Sequence, residues 1–343
     1  MRIRTIHKSV PLLVSKPYIL PVLESAGIRT THDVLFTPLS DLLTRLSDAQ
    51  DILTTDIIQL QDEIALACAV PGVRGGELLE KEDSVIEIMK PHTFTALGVD
   101  SVDELLGETL YGPYVVEISG TGGSGKSTIA MQVVLRRLAH NMDASALWID
   151  CSGDFSGERA KRMCQTFGLD ETTTTSVLSR LQVIISFEID EFQNALDNIE
   201  ASLSETPDAS LRYIAIDPIT PILAGQITGS SSQGHATMTG VMRQLARIAE
   251  DHNLTVLVLN KTANSPTRNP LSSFPKTTAK PALGPTFTFL SHATIWLSTA
   301  DATFGKRSGQ GQTHILEVFR SRVGSASRWC TFDIQGGTVA PSS

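Results

Sequence analysis

The run GTGGSGKS, made of Gly120, Thr121, Gly122, Gly123, Ser124, Gly125, Lys126 and Ser127, satisfies G-x-x-x-x-G-K-[ST] in full. Glycines at these places let successive backbone N–H groups curl around a phosphate. Lys126 then reaches the terminal phosphates, and the Ser127 hydroxyl is placed to bind Mg²⁺. A helix that opens near Lys126 adds the positive end of its dipole, and Thr128 in its first turn is expected to line the nucleotide with the loop. The implied occupant is a nucleoside triphosphate such as ATP, with its Mg²⁺.

Such a loop needs a second acid to anchor the cation. The stretch 211–217, LRYIAID, is an apolar strand that releases one carboxylate, Asp217, at its end. The alternative use of Asp217 is to cap the turn that Pro218 begins. Asn260 closes another apolar run, LTVLVLN, where it is a candidate phosphate sensor or a turn residue. A third strand, ALWID, ends at Asp150 and continues as Cys151, Ser152, Gly153 and Asp154. A serine hydroxyl with an ordinary pKa is no base at neutral pH.

These groups must be held by a sheet. From residue 114 onward, apolar strand patterns at 114–119, 146–150, 181–187, 211–217, 254–260, 293–298, 313–319 and 329–334 alternate at first with helical ones at 127–140, 158–167, 191–203 and 239–252. Strand–helix–strand repeats predict an α/β core with a mainly parallel central sheet, extended by later antiparallel strands. Residues 18–70 read as short helices broken by Gly27, Pro38 and the 47–51 turn. The expected organisation is a small helical domain over 1–70, a linker over 71–92 and the core over 93–343. Two connections, 223–239 and 262–284, are long and polar, and both leave the sheet at the phosphate-loop edge.

Bulk properties set limits on the reading. The chain has 343 residues and a net charge of −9, which argues against a generally basic nucleic-acid coat. Between His252 and Phe332, however, nine Lys/Arg face two acids, a net of +7 that leaves −16 for the remainder. Charge segregated in this way predicts a basic face on the C-terminal third. No apolar run is long enough to span a bilayer, and the N-terminal apolar patch is too short for a signal peptide. Cys68, Cys151, Cys164 and Cys330 have neither CxxC spacing nor histidine partners, so they are expected to be free thiols.

Taken in order, GVDSVDELL at 98–106, the phosphate loop, the Asp217 strand, the strand ending at Asn260 and KPALG at 280–284 resemble RecA-type recombinases. KPALG followed by TFTFLSHATIWL looks like the eukaryotic Rad-type recombinase paralogues, closest to the D-type paralogue. The resemblance covers about residues 90–335. It implies a RecA-like P-loop ATPase core behind a helix-hairpin-helix-like unit whose hairpin here reads RLSDAQDI and lacks the usual glycine.

In that family the two long loops face DNA. The first has no charged residue here, while the second carries Arg268, Lys276 and Lys280 with Phe274, a mixture suited to phosphate contact and base stacking. Active recombinases also place a water-activating glutamate where this chain has Ser152, with Asp154 two residues on as a weak substitute. The resemblance therefore implies an ATP-binding mediator or adaptor in homologous-recombination DNA repair, with slow or absent hydrolysis. Its partners would be other recombinase paralogues in a hetero-oligomer, the principal recombinase, and single-stranded or branched DNA. It implies a nuclear location and no membrane. The competing reading is a P-loop kinase or signalling ATPase that does not act on DNA.

Overall fold

The computed structural model describes residues 2–47, 52–69, 72–89, 96–206, 210–227, 232–265, 267–304 and 313–342. The chain divides into two compact units, Met1–Glu80 with Ile199–Ala201, and Lys81–Asn198 with Ser202–Ser343.

In the first unit, helices Ile19–Ser25, Thr31–Phe36, Leu39–Arg45 and Thr54–Cys68 match the expected pieces, preceded by short helices Ile3–Ile6 and Pro11–Ser15. Their apolar faces meet in one cluster that includes Ile3, Leu13, Leu23, Val34, Leu42, Ile57 and Leu60. Thr30 starts the Thr31–Phe36 helix through a reciprocal capping box with Asp33, which satisfies two otherwise orphan N–H groups. Lys16 pairs with the buried Asp56 at 2.9 Å; hydrogen bonding from Lys16 outweighs burial and holds the Asp56 carboxyl below its usual range. The turn expected at 47–51 lies, after Ser47, outside the described residues. Within the span expected to be linker, Gly75–Met89 is helical.

In the second unit nine strands form one sheet: β1 (Val115–Gly120), β2 (Ser145–Asp150), β3 (Leu181–Ile185), β4 (Leu211–Asp217), β5 (Thr255–Asn260), β8 (Ala293–Thr299), β9 (Thr313–Ser321), β10 (Trp329–Gln335) and β11 (Thr338–Pro341). Strands β6 (Thr262–Asn264) and β7 (Ala279–Pro281) form a separate antiparallel pair. The order is β11-β10-β9-β8-β1-β5-β4-β2-β3. Strands β3, β2, β4, β5, β1 and β8 run parallel, and β8 to β11 pair antiparallel. Parallel neighbours bring β1, β2, β4 and β5 to one edge, so their C-terminal residues lie side by side. This sheet follows the expected plan with β11 added, while β6 and β7 stand outside it.

One connection departs from expectation. The polar stretch 223–239 is largely helical, because helix Thr220–Ala224 occupies its start and helix Ser232–His252 its end. Ser, Gly and Thr are weak helix formers. Even so, Met238 joins Val241, Met242 and Leu245 as buried side chains at helical spacing and carries the helix back towards Ser232. Residues 228–231 lie outside the described residues.

Candidate nucleotide site

The phosphate loop runs from the end of β1 to helix Lys126–His140. Its shape requires glycine at two points. A Cβ on Gly120 would sit 2.4 Å from the Leu297 carbonyl oxygen. Gly125, the residue before the helix, has φ +96° and would meet Ile334 at 2.9 Å. With no side chains in the way, the backbone lies open for N–H groups to point at one centre. The Ser124 hydroxyl is buried in this loop without a hydrogen-bond partner.

Lys126 folds over the loop and donates to the carbonyls of Gly120 at 2.7 Å and Thr121 at 2.8 Å. Burial lowers its pKa; Asp217 opposes that shift and nearby Lys261 adds to it. The Ser127 hydroxyl donates to the Asp217 carboxylate. Burial raises the Asp217 pKa and Asp150 adds to the rise, against Ser127, Lys126 and Arg159, which lower it. Sequence placed Lys126, Ser127 and Asp217 in one site, and the fold brings them together.

This donor set fits MgATP. Among the described residues no cluster of three or more His, Cys, Asp or Glu forms a metal cage. Mg²⁺ needs none, since it keeps several waters and takes one or two carboxylates with substrate phosphates. Ser127 and Asp217 would hold the cation, and Lys126 with the loop amides would hold the phosphates.

The end of β2 is organised differently. Asp150 Oδ1 accepts from the backbone N–H of Ser152 at 3.0 Å, Gly153 at 2.8 Å and Asp154 at 3.4 Å, and its Oδ2 accepts from Phe155 at 2.9 Å. Burial pushes its pKa up, but these four donors win and hold it below the usual range. The Ser152 hydroxyl donates to the same carboxylate at 3.4 Å. Ser152 and Asp154 are both exposed.

Asn260 is not poised as a sensor. It is fully buried, accepts from Thr220 Oγ1 at 2.8 Å and donates to Glu117 Oε1 at 2.8 Å. Glu117 also accepts from Ser119 and Thr294. Burial raises its pKa despite these donors. Asn260 is thus an internal strut: Thr220 Oγ1 in turn accepts from the Lys261 backbone N–H, which fixes the next residue.

Sequence reasoning missed Arg159 and Lys261. The signal for Lys261 was its place directly after Asn260; for Arg159 it was the helix that follows the Asp150 turn. Arg159 donates to Thr128 Oγ1 at 2.6 Å, so the Thr128 hydroxyl serves Arg159, although it was expected to line the nucleotide. Beside it, Arg159, Arg162, Met163 and the Gly336–Gly337 turn line a cavity of about 250 Å³.

The expected DNA loop is folded rather than loose. Strands β6 and β7 pair across it, with Lys280 opposite Ala263. Arg268 and Lys276 are exposed and Lys280 is half-buried. Phe274 was expected to stack on bases; instead it is buried at 9% exposure against Ala300 and Ile315. Its ring lies 5.3 Å from Phe304 and 5.2 Å from Trp329. The adjacent Ser272 hydroxyl donates to Glu317 at 2.9 Å, and the Ser273 N–H donates to the same carboxylate. A ring clamped in this way has no face left for a base.

A family model described as Rad51 matches residues 90–340. The chain is 25% identical over 285 residues to "DNA repair protein RAD51 homolog 4" of Bos taurus, covering 82% of each chain. It is 27% identical over 249 residues to the protein of that name from Mus musculus, covering 72% of this chain and 73% of the relative. Its fold matches a crystal structure of the RadB recombinase with a TM-score of 0.56 at 23% identity, over 73% of this chain and all of the other.

Proposed function

This chain belongs to the Rad51 family, and from that premise we propose that it is an ATP-binding recombinase paralogue acting as a mediator or adaptor in homologous-recombination DNA repair. One contrast carries the reading. Lys126, Ser127 and Asp217 are assembled around a complete phosphate cradle, whereas the strand end beside them offers Ser152 and an Asp150 whose oxygens already hold the turn.

Bound MgATP supplies a transferable terminal phosphoryl group. The residues here bind and orient it, and none is placed to take a proton from attacking water. Loss of a positioned base costs about 10² to 10⁴ in rate. Nucleotide then acts as a structural ligand, stabilising by its binding energy whichever conformation holds it. Arg159 and the adjoining cavity are suited to the nucleoside end, since a guanidinium plane can stack on a base.

The partners proposed are other recombinase paralogues in a hetero-oligomer, the principal recombinase, and single-stranded or branched DNA, in the nucleus. The relatives named for DNA repair support the setting. Among the described residues no helix is long and apolar enough to cross a membrane. DNA would meet the chain on the cations Arg268, Lys276 and Lys280. We assign residues 1–70 to partner docking, 71–92 to a linker and 93–343 to the ATPase core.

The test is recovery of recombinase-like subunits on the tagged full-length chain from its own cells. Association should persist with ATP or a slowly hydrolysed analogue, and should weaken on nucleotide removal and in Lys126→Ala. Partner recovery indifferent to both would overturn the proposal.

A further inference from the structure

We propose that Trp329, braced by Phe274 and Phe304, is a stacking platform for an unpaired base of a single-stranded nucleic acid, at a place outside the 262–284 loop. The inference rests on the reading that this chain binds DNA, and it specifies where a base would go.

The first observation is exposure. Trp329 is 46% and Phe304 45% exposed. The chain has three tryptophans, and the other two, Trp148 and Trp296, are buried. The two half-exposed rings are also held in place from beneath. Phe274 meets Phe304 edge-on at 5.3 Å and Trp329 at 5.2 Å. Phe304 and Trp329 lie 6.3 Å apart at 57°. Rings already in mutual contact leave no slot between them, so a base would lie on the outer face of Trp329.

The second observation is location. Register links Ser119 of β1 to Trp296 of β8, Trp296 to Glu317 of β9, and Glu317 to Trp329 of β10. Ser119 directly precedes the phosphate loop, so Trp329 stands level with the end of β1, and β10 runs on from it to Phe332 and Ile334 beside Gly125.

Charge is the third. No acid occurs between His252 and Ala300, exposed Arg268 and Lys276 flank Phe274 in sequence, and exposed Arg328 adjoins Trp329. Glu317, the acid in the same row, is buried and bound by Ser272 and Ser273. Asp301 is the acid that remains on the short helix Ala300–Phe304. Aromatic faces among cations suit a single strand, whose phosphates and bases engage both. The centre of a protein interface is instead depleted of charge.

The experiment compares an oligo-dT strand with an abasic strand of equal length on the full chain, over a salt series, with tryptophan fluorescence recorded. Wild type should prefer oligo-dT, and its fluorescence should be quenched on binding. Trp329→Ala should weaken oligo-dT binding about tenfold, within the range produced by losing one stacking ring, with the abasic strand and the salt slope unchanged. Trp329→Phe should bind like wild type without the quench, which keeps the test alive if the alanine variant misfolds. Equal binding of both strands with normal salt dependence would overturn the platform and leave DNA binding intact. Binding to neither strand would remove the DNA reading and the platform with it. Trp329→Ala that binds oligo-dT normally yet loses a recombinase partner would reassign the rings to protein contact.

Discussion

Asp150 and Asp217 are register partners across β2 and β4, yet their carboxylates face opposite tasks. Asp150 is saturated by backbone N–H groups from its own turn. Asp217 holds the Ser127 hydroxyl at the phosphate cradle. On the proposed function, the site binds through Asp217 and stiffens a loop with Asp150.

For the cradle, Lys126→Ala should abolish ATP binding, and Asp217→Asn should make it less dependent on Mg²⁺. Titration of a fluorescent ATP analogue with and without Mg²⁺ reads both. Unchanged nucleotide affinity in Lys126→Ala would contradict the assignment.

For the turn, Asp150→Asn loses one anionic acceptor and should cost about 1–3 kcal/mol, the penalty for leaving buried donors unmet. The folded pKa is held below the ordinary carboxylate value. This stabilisation is therefore fully present above the unfolded pKa and is lost as pH falls through the folded one. Urea unfolding across the acid range should show wild type losing its advantage over Asp150→Asn there. A constant difference between the two would argue against the carboxylate's role.

For the strut, Asn260→Ala should destabilise by about 1–3 kcal/mol because Glu117 and Thr220 lose a buried partner, while ATP affinity changes little. Burial raises the Glu117 pKa, so its contribution falls as pH rises through that raised value. Glu117→Gln, neutral at every pH, should be tolerated best at alkaline pH. A large loss of ATP affinity in folded Asn260→Ala would restore the sensor role.

For the basic loop, neutralising Arg268, Lys276 and Lys280 together should lower the slope of log affinity against log salt by about two, at roughly 0.7 per single-strand phosphate contact. Phe274→Ala should act through stability, by about 3 kcal/mol for a buried ring. An unaltered slope would place the DNA face elsewhere.

How far the sequence could be read depends on the range of the interactions involved. GTGGSGKS and the Asp217 strand are local patterns whose chemistry is written in consecutive residues, and parallel strand order brings their ends together. The burial of Phe274 depends on Ala300, Ile315, Phe304 and Trp329, none of them near it in the chain, so a polar loop concealed a core residue. Asn260 looked free because Glu117, its partner, is far away in sequence. Helix Glu171–Ser179, with the sequence ETTTTSVLS, escaped notice because four consecutive threonines favour a strand by propensity. Packing of Thr174 and Val177 decides the matter there.

The most direct test of the central claim is single-turnover ATP hydrolysis by Ser152→Glu beside wild type, with ATP affinity measured on the same preparations. The substitution puts a carboxylate beside Asp150 without touching Lys126, Ser127 or Asp217. Affinity should stay level and hydrolysis should rise at least about tenfold, a modest share of the 10² to 10⁴ available to a well-placed base. A folded Ser152→Glu protein that binds ATP and partner normally yet hydrolyses no faster would contradict the account.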